Sequence, residues 1–441
     1  MRKSLFLLFL LWASPAWASI PTPVTIPYFG SSWFYKPDEG PSIGFVAVLS
    51  PSTGWDEQTA HTARHLAHEG YAVLGLDAKV FEASTKGSDA ECVYPSGLIE
   101  EAAQDLQKTP DHPMYHRPLI VGLGDSGILA ATTMLQALPG TYKGALAPQF
   151  CAASAVSKLL CLGSRMVRQD KAYRLAKSGV VKADEGLFLA AQEGCGVDSS
   201  TWPVQASDDA RSFIDDGLKK LQAKKQAEAI DALKDLPLEY LPAEDNDWLV
   251  ILISGDGGWR DIDRQIGEKM QKAGYAVIGI DSLRYFWNEK TPAETAAMLD
   301  RVVAEAQQAW NKRRVALIGY SFGADLLPFA ITQMKTASHV SFMGLLGFTR
   351  YALFEITAGS FVGIGDTRYD NKEQIKKIPP SIKTLCVYGQ SENADDDDSE
   401  SLCPALHQPQ VETLGLSGGH HFDGDYQGLT QQLIDRIKQR P

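Results

Sequence analysis

Gly44-Phe-Val-Ala-Val-Leu-Ser50, then Gly54-Trp55, then Gly70-Tyr-Ala-Val-Leu-Gly-Leu-Asp77: this series returns in the second half of the chain as Trp248-Leu-Val-Ile-Leu-Ile-Ser254, Gly258-Trp259 and Gly274-Tyr-Ala-Val-Ile-Gly-Ile-Asp281. In both copies the second glycine follows the tryptophan by 15 residues. Each series reads as a buried strand, a glycine-rich turn, an amphipathic helix, and a second buried strand ending in Asp. Short, continuously apolar runs that alternate with helical patterns are the mark of parallel β-α-β units with both sheet faces covered. Two tandem α/β domains are therefore expected.

A third segment repeats imperfectly. Val315-Ala-Leu-Ile318 runs into Gly319-Tyr-Ser-Phe-Gly323, whereas Leu119-Ile-Val121 runs into Gly122-Leu-Gly-Asp-Ser-Gly127. Superposing Gly122 on Gly319 puts Gly124 where Ser321 stands and leaves Ser126 two positions late. A nucleophile on a tight strand-to-helix turn works only at the apex, so the first copy is expected to keep the fold without catalysis.

A length of 441 residues fits two domains of about 200 each. The expected division is 19–240 for the N-terminal domain and 241–441 for the C-terminal one, with Pro237–Asp247 as linker. Arg2 and Lys3, the apolar run Leu5 to Trp12, and Ala16-Trp17-Ala18 read as a signal peptide over residues 1–18. The apolar run is too short for a finished membrane span. Export to the periplasm is the expectation.

The formal charge is −12, and loss of Arg2 and Lys3 makes it more negative. That argues against phosphate-driven nucleic-acid binding and against adhesion to an anionic membrane by net charge alone. It suits a cationic substrate without showing one. The six cysteines are Cys92, Cys151, Cys161, Cys195, Cys386 and Cys403, and an oxidising compartment would pair them. Cys386–Cys403 is the simplest pairing in the second half. The other four allow three connectivities. No Cys-x-x-Cys spacing points to zinc, and no metal or cofactor is expected.

The chemistry concentrates in the second half. Gly319-Tyr-Ser-Phe-Gly323 follows an apolar strand and precedes a helix-forming run, which is the setting of a nucleophile elbow. A serine hydroxyl needs a histidine base held by a carboxylate, in the chain order Ser, acid, His. Glu392 lies three residues past Gly389, after the strand Thr384–Tyr388, and fits the acid, with Asp395, Asp397 and Asp398 as competitors. Gly418-Gly-His-His-Phe-Asp423 presents the histidine. His421, directly before Phe422, is favoured over His420. The backbone N–H groups of Phe322 and Gly257 are the expected oxyanion donors. Asp256, Trp259 and Asp261, together with Asp263, are candidates for holding a substrate ammonium group. Tyr285, Phe286 and Trp287 are candidates for membrane contact or for packing near the site.

Five segments resemble the bacterial virulence protein family of VirJ and AcvB: Ser254–Arg260, Asp281–Trp287, Gly319–Asp325, Tyr388-Gly389 with Leu402–Pro404, and Gly418–Asp423. The tandem form is similar to its two-domain, AcvB-like members. The resemblance implies a periplasmic α/β hydrolase that splits the aminoacyl ester of lysyl-phosphatidylglycerol into lysine and phosphatidylglycerol. It carries the catalytic roles onto Ser321, Glu392 and His421. It also implies an aminoacylated phospholipid at the membrane surface as partner, and a link to type IV secretion. Two other readings compete: a generic carboxylesterase or thioesterase, and a non-catalytic adaptor for secretion.

Overall fold

The structure, a computed structural model, describes residues 20–151, 160–161, 166–169, 172–175, 186–191, 202, 204–205, 209–227, 230–357, 368–392 and 401–439. The segment 1–18 lies outside them. In the N-terminal half the strands are β1 (Thr22–Ile26), β2 (Gly30–Tyr35), β3 (Gly44–Leu49), β4 (Tyr71–Leu76), β5 (Pro118–Gly122), β6 (Gly144–Phe150), β7 (Met166–Gln169), β8 (Ala172–Leu175), β9 (Leu187–Ala191) and β10 (Val204–Gln205). Helices α1 (Glu57–His68), α2 (Ala78–Lys86), α3 (Pro95–Gln107), α4 (Gly127–Gln136) and α5 (Ala210–Ala227) accompany them. The C-terminal half has β11 (Leu238–Leu241), β12 (Trp248–Ile253), β13 (Ala276–Ile280), β14 (Arg314–Tyr320), β15 (Val340–Leu346), β16 (Tyr351–Ala352), β17 (Tyr369–Asp370), β18 (Lys383–Gly389) and β19 (Val411–Leu416). Its helices are α6 (Asp261–Lys272), α7 (Ser282–Tyr285), α8 (Pro292–Trp310), α9 (Phe322–Ile331), α10 (Asn371–Gln374) and α11 (Tyr426–Lys438).

The two main sheets repeat one order. The first is β1-β2-β4-β3-β5-β6-β9-β10 and the second is β11-β13-β12-β14-β15-β18-β19. From β2 and β11 onward they correspond strand for strand. Strands β2 and β11 run antiparallel to β4 and β13, and the strands beyond are parallel. In the second sheet α8 and α9 cover one face, while α6 and α11 cover the other. Both layers bury continuous Val, Ile and Leu from β12 and β14, so the strands are apolar throughout rather than alternating. Both halves are α/β-hydrolase-like domains.

β11 corrects the expected domain division. Leu238 to Leu241 pairs in register with Ile280 to Val277, so the C-terminal sheet begins inside the segment read as a linker and before residue 241. The two prolines flank an edge strand, where the missing N–H groups cost nothing.

The duplicated tryptophans have a packing role. A Cβ on Gly75 would fall 2.3 Å from the Trp55 ring, and one on Gly279 would fall 2.3 Å from the Trp259 ring. Each indole therefore lies flat on a bare stretch of the second strand. Ser50 and Ser254, both fully buried, tie the same turns by accepting from the N–H groups of Ala78 and Ser282. Gly-Trp and the later Gly recur because they build the same corner twice.

The two domains are locked together by side chains of both. Arg260 Nη1 lies 2.6 Å from Glu100 and 3.1 Å from the Thr141 hydroxyl. Arg117 pairs with Glu239 at 2.7 Å. Lys108 donates to the carbonyls of Trp287 and Ile356. Tyr115 joins the hydrophobic core of the C-terminal domain with its ring 5.0 Å from that of Trp287, whose indole N–H donates to the Gln107 carbonyl. Trp287 and Phe286 are buried and Tyr285 is half-buried, so these three pack in the interior and at the domain junction instead of facing a membrane.

Cys386 is bonded to Cys403, as expected. Cys92 is bonded to Cys161, and Cys151 is also in a disulfide. Among the described residues no helix is long and apolar enough to cross a membrane.

Candidate active site

Ser321 sits between β14 and α9 with φ 51° and ψ −117°, a conformation that costs a non-glycine residue about 1–3 kcal/mol. The flanking glycines make it possible. A Cβ on Gly319 would lie 2.3 Å from the Gly323 carbonyl oxygen, and one on Gly323 would lie 2.3 Å from that of Ile253. The serine is thus pushed out at the carboxyl end of the sheet, where loops from β12, β18 and β19 converge.

His420 Nε2 is 2.8 Å from Ser321 Oγ, and its Nδ1 is 2.9 Å from Glu392 Oε1. An ionised carboxylate only accepts, so Nδ1 carries the ring proton. Nε2 then offers its lone pair to the Ser321 O–H. Glu392 is nearly buried, with 9% of its side chain exposed, and Oε2 has no hydrogen-bond partner among the described residues, so its charge is directed at the imidazole. The Tyr320 ring packs beside His420 at 5.3 Å, and its hydroxyl lies 3.3 Å from the His420 carbonyl oxygen.

The favoured histidine is therefore corrected. His421 is exposed, and its Nδ1 meets the Tyr320 hydroxyl at 3.2 Å, away from Ser321. Phe422 is buried to 1% and anchors the loop in the core, which turns His421 outward and His420 inward. Asp395, Asp397 and Asp398 lie outside the described residues. Glu392 holds the acid position in the geometry.

The loop after β12 also differs from expectation in detail. The Gly257 N–H is taken by the Asp256 carboxylate at 3.0 Å, and that of Gly258 by the Gly255 carbonyl. The Asp256 N–H has no acceptor among the described residues. The Phe322 N–H, in the first turn of α9, has no intrahelical acceptor. These two amides are the open donors. The N-terminal domain supports the pairing by contrast. Counting from the matched Ser50 and Ser254, Ser52 stands for Asp256, and Asp125 stands for Phe322. There the Asp125 carboxylate accepts from both the N–H (2.8 Å) and the hydroxyl of Ser52. The apex between them is Gly124, at φ 55° like Ser321, with no side chain to react. Ser126 is buried at the start of α4.

Of the acidic group, Asp256 alone remains half-buried beside the elbow. An atom at the Cβ position of its neighbour Gly255 would be 3.8 Å from Ser321 Cβ. Asp261 accepts from Gln265 and from Tyr426, and Trp259 is 6% exposed in the core. Asp263 is buried, and burial holds its carboxyl well above the usual range, which favours the neutral form. Trp259, Asp261 and Asp263 are thus structural.

Two supports were not evident from the sequence. Gly347 (φ 63°) lies under the base, where a Cβ would come within 2.7 Å of His420 Cε1. Asp325, one turn into α9, accepts from the N–H and the hydroxyl of Thr349, both at 2.7 Å. Burial pushes its pKa up to about 7 against those bonds. The signal for Asp325 was an acidic residue on an otherwise apolar helix face, four positions after the serine.

The fold and these convergent side chains define a protein of the α/β-hydrolase class. Residues 247–441 match the family described as bacterial virulence protein (VirJ). No curated protein matches the chain by sequence. Similar solved structures include Est1E from Butyrivibrio proteoclasticus, at 13% identity and TM-score 0.34, covering 46% of this chain and 92% of that one. The Pyrococcus furiosus esterase Pf2001 is similar at 14% identity and TM-score 0.34, covering 47% and 95%. MenH from S. aureus is similar at 15% and 0.34, covering 46% and 98%.

Proposed function

We propose that the C-terminal domain is a serine esterase that hydrolyses the aminoacyl ester of lysyl-phosphatidylglycerol, and that it acts in the periplasm. The observation that carries the esterase reading is the unbroken chain from Ser321 through His420 to Glu392. Ser321 Oγ attacks the ester carbonyl as His420 Nε2 takes its proton, and Glu392 stabilises the imidazolium. The tetrahedral oxyanion accepts from the N–H groups of Phe322 and Asp256. His420 returns the proton to the departing phosphatidylglycerol oxygen. Water, activated by the same nitrogen, then releases lysine from the acyl-enzyme.

The lipid substrate follows the family resemblance. It is supported by the half-buried Asp256 carboxylate at the rim, which attracts an ammonium group beside the reacting carbonyl. The disulfides support an oxidising compartment.

Lipid analysis of cells lacking the protein tests this reading. Lysyl-phosphatidylglycerol should accumulate, fall on complementation with wild type, and stay high with Ser321→Ala. A generic esterase would label with a fluorophosphonate at Ser321 yet leave the lipids unchanged. A secretion adaptor would not label at all.

A further inference from the structure

A cleft of about 420 Å³ opens between the two domains, away from the Ser321 chain. Its walls come from both halves. Gly44 opens β3, Arg117 precedes β5 and Lys143 precedes β6, while Glu239 lies in β11 and Arg284 in α7. The acidic background of the chain is reversed here. Four lining cations, Arg117, Lys143, Arg264 and Arg284, face two lining carboxylates, Glu239 and Glu268.

The pairing leaves a surplus in one place. Arg117 takes Glu239 at 2.7 Å and Arg264 takes Glu268 at 2.9 Å. The Arg284 guanidinium has no carboxylate at ion-pair distance among the described residues, although Asp281, which accepts from the Arg284 backbone N–H at 3.3 Å, lends it negative charge. Its Nε donates to the Tyr115 carbonyl at 3.1 Å, and Nη2 meets the Met114 sulfur at 3.2 Å. The Lys143 ammonium makes no hydrogen bond or ion pair among the described residues, and the residue is half-buried in the cleft wall. Burial, with Arg117 and Arg284 nearby, pushes its pKa down to about 8. A partly desolvated cation without a counter-charge is disfavoured, and the cations beside it add to that cost. A bound anion offsets it.

We propose that this interdomain cleft is an oxyanion site for a phosphate ester, held by Lys143, Arg117 and Arg284. The Lys143 ammonium and the guanidinium N–H groups left over by Glu239, Gly140, Tyr115 and Met114 offer more donors than a carboxylate has acceptor oxygens, and a phosphate group supplies them. The site exists only when both domains are present, and binding there ties them together. It is independent of the esterase reading. The phosphate can belong to a soluble ester or to a lipid headgroup.

The test uses the full chain. Calorimetric titration with inorganic phosphate and with glycerol 1-phosphate is compared with flotation on vesicles containing phosphatidylglycerol. Each is run on wild type and on Lys143→Met, which keeps the side-chain stem. Saturable binding of the soluble phosphates that weakens roughly tenfold or more in Lys143→Met supports the site with a soluble ligand. Vesicle binding alone, lost in the same variant, supports it with a lipid headgroup. Lys143→Met should melt no lower than wild type without ligand, because the ammonium it removes has no partner. Wild type that binds neither probe, or a variant that binds both as wild type does, overturns the proposal.

Discussion

Phe422, buried in the core, sends its two preceding histidines to opposite sides of the chain, and a catalytic role can follow only one of them. His420→Ala should reduce ester turnover on the order of 10⁴-fold or more, whereas His421→Ala should change it less than about tenfold, since it loses one 3.2 Å contact to an exposed ring. Steady-state kinetics on a single ester, run side by side, decides between them. Asp325 carries a pH signature. Its folded pKa, about 7, is raised above its ordinary value of 3.8. The neutral acid is favoured in the native state. Its contribution is fully present below about pH 4 and is lost as pH rises through 7, with a slope of at most about 1.4 kcal/mol for each pH unit crossed. Asp325→Asn removes that titration, so its stability should fall less than that of wild type between pH 4 and 7 in urea melts. Equal slopes would sink the assignment.

At the level of elements, the loop between β18 and β19 is the most exposed to perturbation. It carries Glu392, and Cys386–Cys403 closes it across a separation of 17 residues with both sulfurs in the core. A loop of about this length contributes on the order of 3 kcal/mol in the chain-entropy account. Cys403→Ser should therefore lower the melting temperature, and it should lower kcat more than it raises KM, because the acid loses its tether while the elbow stays intact. The elements were legible in the sequence to very different degrees. Strands β12, β13 and β14 announce themselves because both faces are buried and every position is apolar. β11 was hidden, since it is a short edge strand between two prolines with only half its residues turned inward. The elbow was legible because its glycines are demanded by backbone contact at 2.3 Å. The choice of histidine was not, because it depends on which way a loop turns after Gly418. The tryptophan corner misled for a related reason: Gly258-Trp259 lies beside reactive loops in sequence, yet its ring serves only the packing of β13.

Across the whole molecule, the junction between domains is built like an interior and not like a linker. Trp287 packs on Tyr115, Lys108 is held by two carbonyls and lies 3.1 Å from Glu355, and Arg260 reaches from the active-site loop to Glu100. One calorimetric unfolding transition is expected for the intact chain. Trp287→Ala combined with Lys108→Met should split it into two, because large-to-small truncation of a buried aromatic costs about 3–5 kcal/mol at the contact that couples the halves; a single sharp transition in the double variant would count against that coupling. The clasp of Asp125 on Ser52 has a further consequence, one of history. It fills one amide of the first domain's pair, that of Ser52, with a carboxylate of its own. A Gly124→Ser change alone would set a hydroxyl beside an occupied hole, and loss of Asp125 alone would open a hole with nothing to react. Neither step gives activity without the other, so no single substitution leads the first domain back to catalysis. Selection on it can then act on the surfaces it presents to its neighbour.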